Sequence, residues 1–243
     1  MKNQKQVNKI TSSKRGQSKA IIFDSGVLIS FSMNGVTDLI KKLREIFKGR
    51  FFITSEIKKE VIDVPLKIKK FELEALKIKK LLDEGVLEMP SSLGINDFEI
   101  TNSTNKIIAL ANTCFNGGGK DIHLLDMGEA SCLALSKIFT EKGIKNLLAV
   151  DERTTRMLVE GHENLREFLE KKLHTKISIN HESIKFFRGF DIIRSPELAY
   201  IAYKKELVDL KDGAIVLDAL LYAMKFKGAS ISEDEIEEMK RLG

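Results

Sequence analysis

The stretch Ala20-Ile21-Ile22-Phe23-Asp24-Ser25-Gly26 decides the fold. Four apolar residues in a row, two of them β-branched and one aromatic, mark a short strand buried on both faces. The run ends on an acid. Ser25-Gly26 then signals an immediate turn, and Val27-Leu28-Ile29 opens a further apolar segment that reads as a helix. In an open α/β sheet, a side chain at the carboxyl end of a strand faces the crevice where ligands bind. Asp24 is therefore placed to hold a metal ion or to activate a water. The plainer alternative is that it caps the helix that follows, which Asp does well. The choice turns on whether other acids recur in the same kind of position.

One does at Leu147-Leu148-Ala149-Val150-Asp151, which repeats the order of apolar strand, terminal acid and polar helix start. Between the two, Val36–Lys48 carries apolar residues at helical spacing and is closed by Gly49. Phe51-Phe52-Ile53 is a second short strand, and Ser55 caps a helix with Ile57, Val61 and Val64 on one face. Phe71–Leu82 reads as a helix ended by Gly85, and Val86-Leu87 as a brief edge strand. Within residues 90–122 only Ile107–Ala111 looks helical, while Pro90–Asn96 and Asn116–Lys120 read as loops. The glycines before Lys120 do not form a phosphate-binding P-loop, because the spacing and the following Ser or Thr are absent. Gly128–Phe139 is a largely apolar helix. Strands separated by helices predict an α/β fold, a parallel sheet with helices on both sides.

The predicted organisation is a basic arm over residues 1–19, a main domain over 20–173, and a mostly helical C-terminal extension over 174–243. In the extension, Ile177-Ser178-Ile179 and Phe190-Asp191-Ile192-Ile193 read as strands. Ser195-Pro196-Glu197 is a helix start with Ser as the cap, and Ser232-Glu233-Asp234-Glu235 opens the last helix with a capping box. The helix between them, Ala214–Lys227, is apolar nearly all round, so it demands cover from the C-terminal cap or from a second copy in a homodimer.

Composition narrows the chemistry. With 2 cysteines and 4 scattered histidines, neither a disulfide scaffold nor a zinc centre is supported. No apolar run reaches the ~18–20 residues that span a bilayer, and the basic N-terminus has no apolar signal core. The expectation is a cytoplasmic protein with no membrane partner. The net charge of +5 is uneven: Lys2, Lys5, Lys9, Lys14, Arg15 and Lys19 carry +6 before the first strand, leaving a near-neutral body. Such an arm suits an anionic partner, most simply a nucleic acid, or is a solvated tail.

Two further acids share the placement of Asp24 and Asp151. Glu60 lies near a helix start on the edge of its apolar face, and Glu129 is the only charge in the first two turns of helix 128–139. Glu129 also fits a capping box with Asp126, and Glu60 fits an ordinary surface position. Taken together, four carboxylates gather at strand ends and helix starts of one α/β unit. Clustered carboxylates repel unless a cation neutralises them. Oxygen ligands without His or thiolate suit Mg2+ or Mn2+, ions that serve phosphoryl displacement.

IIFDSGVLI (21–29), SEIKKEV (55–61), DMGEASCLALS (126–136) and LLAVDERTTRML (147–158), in that order, resemble the PIN-domain nucleases over about 60% of the chain. The resemblance implies that Asp24, Glu60, Glu129 and Asp151 are both catalytic and metal-binding, and that Ser25, the small hydroxyl residue beside the first acid, is a substrate-binding residue. It implies a Mg2+- or Mn2+-dependent endoribonuclease acting on single-stranded RNA, many such proteins being VapC-like toxins paired with an antitoxin. Arg153 and Arg156, after the last acid, are then candidates for binding substrate phosphate. The chain departs from the family in having Glu129 where Asp is common. A non-catalytic PIN-like scaffold that binds RNA through the arm is the alternative. A phosphatase of the HAD type is not supported, because Gly26 stands where its second Asp is needed.

Overall fold

The computed structural model describes residues 19–242, so the arm expected over 1–19 lies outside the described residues except for Lys19. The chain begins with β1 (Lys19–Phe23), α1 (Ser25–Met33), α2 (Asp38–Phe47), β2 (Arg50–Phe52), α3 (Ser55–Lys58), α4 (Glu72–Asp83) and β3 (Leu87–Glu88). It continues through α5 (Asp97–Asn112), β4 (Phe115–Gly117), β5 (Lys120–Asp121), α6 (Met127–Glu141) and β6 (Lys145–Ala149). It closes with α7 (Arg153–Glu160), α8 (His162–Leu173), β7 (Ile177–Ile179), α9 (His181–Lys185), β8 (Ile192–Ile193), α10 (Ser195–Lys204), α11 (Ala214–Phe226) and α12 (Glu233–Arg241).

Five strands form one sheet in the order β3-β2-β1-β6-β8, with every pairing parallel. Successive residues of β1 point to opposite faces, yet Ala20, Ile21, Ile22 and Phe23 are each no more than 1% exposed. Both faces of the sheet are therefore covered, as the unbroken apolar run requires. The protein is α/β, a parallel sheet flanked by helices.

The region 90–122 departs from expectation. Residues 97–112 are one continuous helix, started by Asn96, whose side chain accepts from the Phe98 amide at 2.9 Å. Its buried residues Ile100, Thr104, Ile107 and Ala111 keep helical spacing, but a Thr occupies one of the four positions and returns its hydroxyl to the Ile100 carbonyl. The stripe is thereby disguised in sequence. Residues 116–120 are not an open loop either. Gly118 and Gly119, at φ 61° and 79°, form the two-residue turn of a β4–β5 hairpin, where both central positions need positive φ.

The C-terminal extension is joined to the main domain by two strand pairings. β7 lies antiparallel to β4 in a second sheet of order β5-β4-β7, and β8 extends the main sheet beside β6. The cap of α10 is Arg194 rather than Ser195, which sits inside the first turn with its amide turned elsewhere. α11 is covered from within the chain, by α10, by α12 and by α1, where Met224 accepts from the Ser30 hydroxyl at 3.1 Å. Ile215 and Phe226 remain exposed on its outer side. No helix among the described residues is long and apolar enough to cross a membrane.

Candidate functional site

β1 and β6 are neighbours in register, Phe23 opposite Ala149, and the Asp24 amide donates to the Ala149 carbonyl at 2.9 Å. Strand order runs outward from this pair in both directions, with β2 and β3 on one side and β8 on the other. Their carboxyl ends thus open at the topological switch point, where ligands bind in open α/β sheets. Asp24 and Asp151 leave the sheet there. Each is 4% exposed, and they flank Gly26, where a Cβ would stand 3.5 Å from Asp24 Oδ2 and 3.8 Å from Asp151 Cβ.

Two helix starts close over the same edge. Thr54, not the expected Ser55, caps α3, accepting from the Ile57 amide at 3.2 Å, and its hydroxyl meets that of Ser131 in α6 at 2.6 Å. Ser55 is the first residue of the helix, and its hydroxyl donates to Asp97 Oδ2 at 2.8 Å instead. The Cys132 thiol reaches the carbonyl of Phe23 at 3.7 Å, which pins the first turns of α6 to the end of β1. After Lys58 the helix widens into a π turn over Lys59–Asp63 that carries Glu60. Such one-turn π segments recur at functional sites, because the extra residue re-aims a side chain. The half-buried Glu60 carboxylate lies directly on Gly128, where a Cβ would come within 2.5 Å of Glu60 Oε1. The Ser25 side chain hydrogen-bonds to the same carboxylate.

Glu129 is buried, and its carboxylate accepts from the Asp126 amide at 3.0 Å while its own amide donates to Asp126 Oδ1 at 2.8 Å. This is a complete capping box. Asp24 caps α1 in turn, Oδ2 accepting from the Gly26 amide at 3.3 Å. The cap roles that the sequence offers as alternatives are therefore real. They leave the electrostatic crowding unrelieved.

Burial, joined by the negative charges of Asp126 and Glu60, pushes the Asp24 carboxyl up to about 7 against the pull of the Gly26 and Ser25 amides. Burial and Asp126 raise Glu129 to about 8, with Asp24 among the neighbouring charges. Glu60 is raised by burial and by Asp126, against the Ser25 hydrogen bond. Asp151 is raised by burial and held down by the Ser195 amide and the Ser195 side chain. Asp126 is the one acid felt by Asp24, Glu60 and Glu129 alike. On sequence alone Asp126 reads only as a cap, although its place three residues before Glu129 is a signal that it shares the crevice.

Two buried carboxylate oxygens, Asp24 Oδ1 and Asp151 Oδ2, have no hydrogen-bond partner. A carboxylate oxygen removed from water and left unpaired is costly, and a hard cation is the partner it best fits. No three His, Cys, Asp or Glu side chains among the described residues stand as a ready-made metal-ligand group. The donor set fits Mg2+ or Mn2+ in chemistry, and its carboxylates would have to draw inward to ligate one.

The two candidate arginines part company. Arg153 is exposed at the start of α7, its guanidinium stacked over Phe168 at 4.8 Å. Arg156 turns inward and donates to the Ser230 carbonyl at 2.9 Å. No protein-family model, curated protein or solved structure matches the chain.

Proposed function

We propose that the chain is a PIN-like, Mg2+- or Mn2+-dependent endoribonuclease that hydrolyses single-stranded RNA at the carboxyl edge of β1 and β6. The observation that carries this reading is the pair of orphaned buried oxygens, Asp24 Oδ1 and Asp151 Oδ2, on acids that flank Gly26 at the switch point. Asp24, Glu60, Glu129 and Asp151 would hold the ion. When bound, the ion supplies an activated water and offsets the charge that develops on the phosphodiester. The chain's own groups do the positioning. Ser25 holds Glu60, the Asp126 amide holds one oxygen of Glu129, and the Ser195 amide holds Asp151 Oδ1 at 2.7 Å. Arg153, two residues after Asp151 and stacked on Phe168, is the more exposed of the two candidate guanidiniums for an RNA phosphate.

The cap hydrogen bonds of Asp24 and Glu129 favour a second reading, an RNA-binding scaffold in which these acids only terminate helices. Incubation of mixed RNAs with the protein and Mn2+, beside an Asp24→Asn control, separates the two. The nuclease yields Mn2+-dependent fragments that the control does not. RNA retention without any cleavage by the parent sinks the enzymatic reading.

A further inference from the structure

The C-terminal extension reaches the acid crevice at the end of β8, where the Ile193 carbonyl accepts from the Val150 amide at 2.9 Å, and through the buried Arg194 and Ser195 that follow. Asp151 Oδ1 accepts from the Ser195 amide at 2.7 Å, so the first turn of α10 fixes the rotation of that carboxyl and leaves Oδ2 as its unpartnered atom. Arg194 precedes that amide and is 6% exposed. Its backbone amide donates to Glu197 Oε2 at 2.9 Å and its Nε to both Glu197 oxygens, a fork that locks the turn from which Ser195 projects. The remaining arm of the guanidinium extends to the last helix, Nη1 meeting Glu235 Oε1 at 3.1 Å and the Ser230 carbonyl at 2.8 Å. Glu235 is in turn fixed by the capping box of α12, accepting from the Ser232 amide at 2.9 Å.

The Ser230 carbonyl also receives Arg156 from α7, the helix that begins two residues after Asp151. Both supports of Asp151, the chain that follows it and the amide that holds it, are thus bolted to one carbonyl just ahead of α12. A single buried Arg–Glu pair would be read as packing. A guanidinium whose backbone neighbour grips a half-paired acid, and whose other end reaches a separate helix, does more.

Resting on the metal-dependent reading above, we infer that Arg194 is a positioning residue for the acid crevice, coupling α12 to the orientation of Asp151 through the Ser195 amide. The extension thereby completes the site rather than merely covering α11. Groups that orient metal ligands at one remove change affinity by roughly 10–100-fold when altered. Arg194→Lys keeps the charge and loses the two-pronged fork, whereas Glu235→Gln keeps the α12 cap and loses the ionic tie to Arg194. Leu220→Ala, in α11 between α10 and α12, removes packing without altering a polar group of this network and supplies a destabilised comparison.

Calorimetric titration of each folded protein with Mn2+ tests the inference. Arg194→Lys is expected to weaken Mn2+ by about tenfold, with Glu235→Gln weakening it less and Leu220→Ala leaving it unchanged. If Arg194→Lys fails to fold, Glu235→Gln carries the test alone. Parental Mn2+ affinity in both network variants, or an equal loss in Leu220→Ala, overturns the coupling while leaving the metal-dependent reading intact. A parent that binds no Mn2+ overturns both, and that failure shows in the parent rather than in the variants.

Discussion

A methyl group on Gly128 would meet Glu60 Oε1 at 2.5 Å, and nothing else in the turn asks for glycine, since its backbone is ordinary helix. Replacing a helical Gly by Ala gains up to about 1 kcal/mol. The displaced atoms are the far end of a flexible side chain, so the collision is relieved by moving the Glu60 carboxylate. Gly128→Ala should therefore melt at or above the parental temperature while losing at least about tenfold in Mn2+ affinity, as the disturbance of a ligand's position does. Thermal melts and Mn2+ titration of the one variant check both halves. Parental Mn2+ binding would show that Glu60 takes no part in the site. A helix-capping account of the acids predicts the stability gain alone, which makes this substitution more discriminating than removal of an acid.

At the scale of elements, the crevice is bordered by the starts of α3 and α6 as well as by the sheet edge. Thr54 is 1% exposed and serves both helices, as cap of α3 and as the partner of Ser131 at 2.6 Å. Thr54→Val keeps the shape and removes both bonds, leaving the Ile57 amide unanswered. Loss of a cap and of a buried hydrogen bond should cost about 1–3 kcal/mol, read as a lower urea midpoint with an unchanged slope. An unchanged midpoint would show that the junction contributes nothing. The sequence announces these helix starts to within a residue: Asp126 is legible as the cap of α6, whereas Ser55 reads as the cap of α3 and Thr54, one residue earlier, serves. It announces β1 and β6 even better, since Ala20–Phe23 and Leu147–Val150 are unbroken apolar runs that end in acids. What stays hidden has identifiable causes. The buried face of α5 passes through Thr104, whose hydroxyl is satisfied by its own helix and so looks polar on paper. The π turn that aims Glu60 leaves no periodic trace in five residues. The Ser195 amide that holds Asp151 is a backbone group 44 residues away, and no side-chain motif could reveal it.

For the whole molecule, the acids set how stability depends on pH. In the unfolded chain they release their protons near their ordinary values of 3.8 and 4.5, whereas the folded protein keeps Asp24 protonated to about 7 and Glu129 to about 8. Between these limits the folded state binds more protons, so stability falls as pH rises and levels off above about 8. Glu60 and Asp151 are raised in the same way and add to the slope. Glu88, held down by the Arg50 guanidinium beside it, works oppositely, and its contribution is lost only as pH falls through the acid range. Metal-free protein should therefore be most stable near the ordinary carboxylate range and lose stability steadily toward pH 8. Each tenfold difference in a group's proton affinity between folded and unfolded chain is worth roughly 1.4 kcal/mol of that loss. Ligands must be deprotonated to bind, so Mn2+ should act in the other direction. Its stabilisation, about 2.7 kcal/mol at 100 times Kd, should be largest at pH 8 and fade below pH 6. Asp24→Asn should flatten the metal-free slope and reduce the response to Mn2+ together, because one carboxylate causes both. Chemical denaturation from pH 5 to 8.5, with Mn2+ and with chelator, gives the comparison. Parallel curves for the parent in the two conditions would mean that the crowded acids are not a cation site, and that their protonation is only the consequence of burial at the ends of β1 and β6.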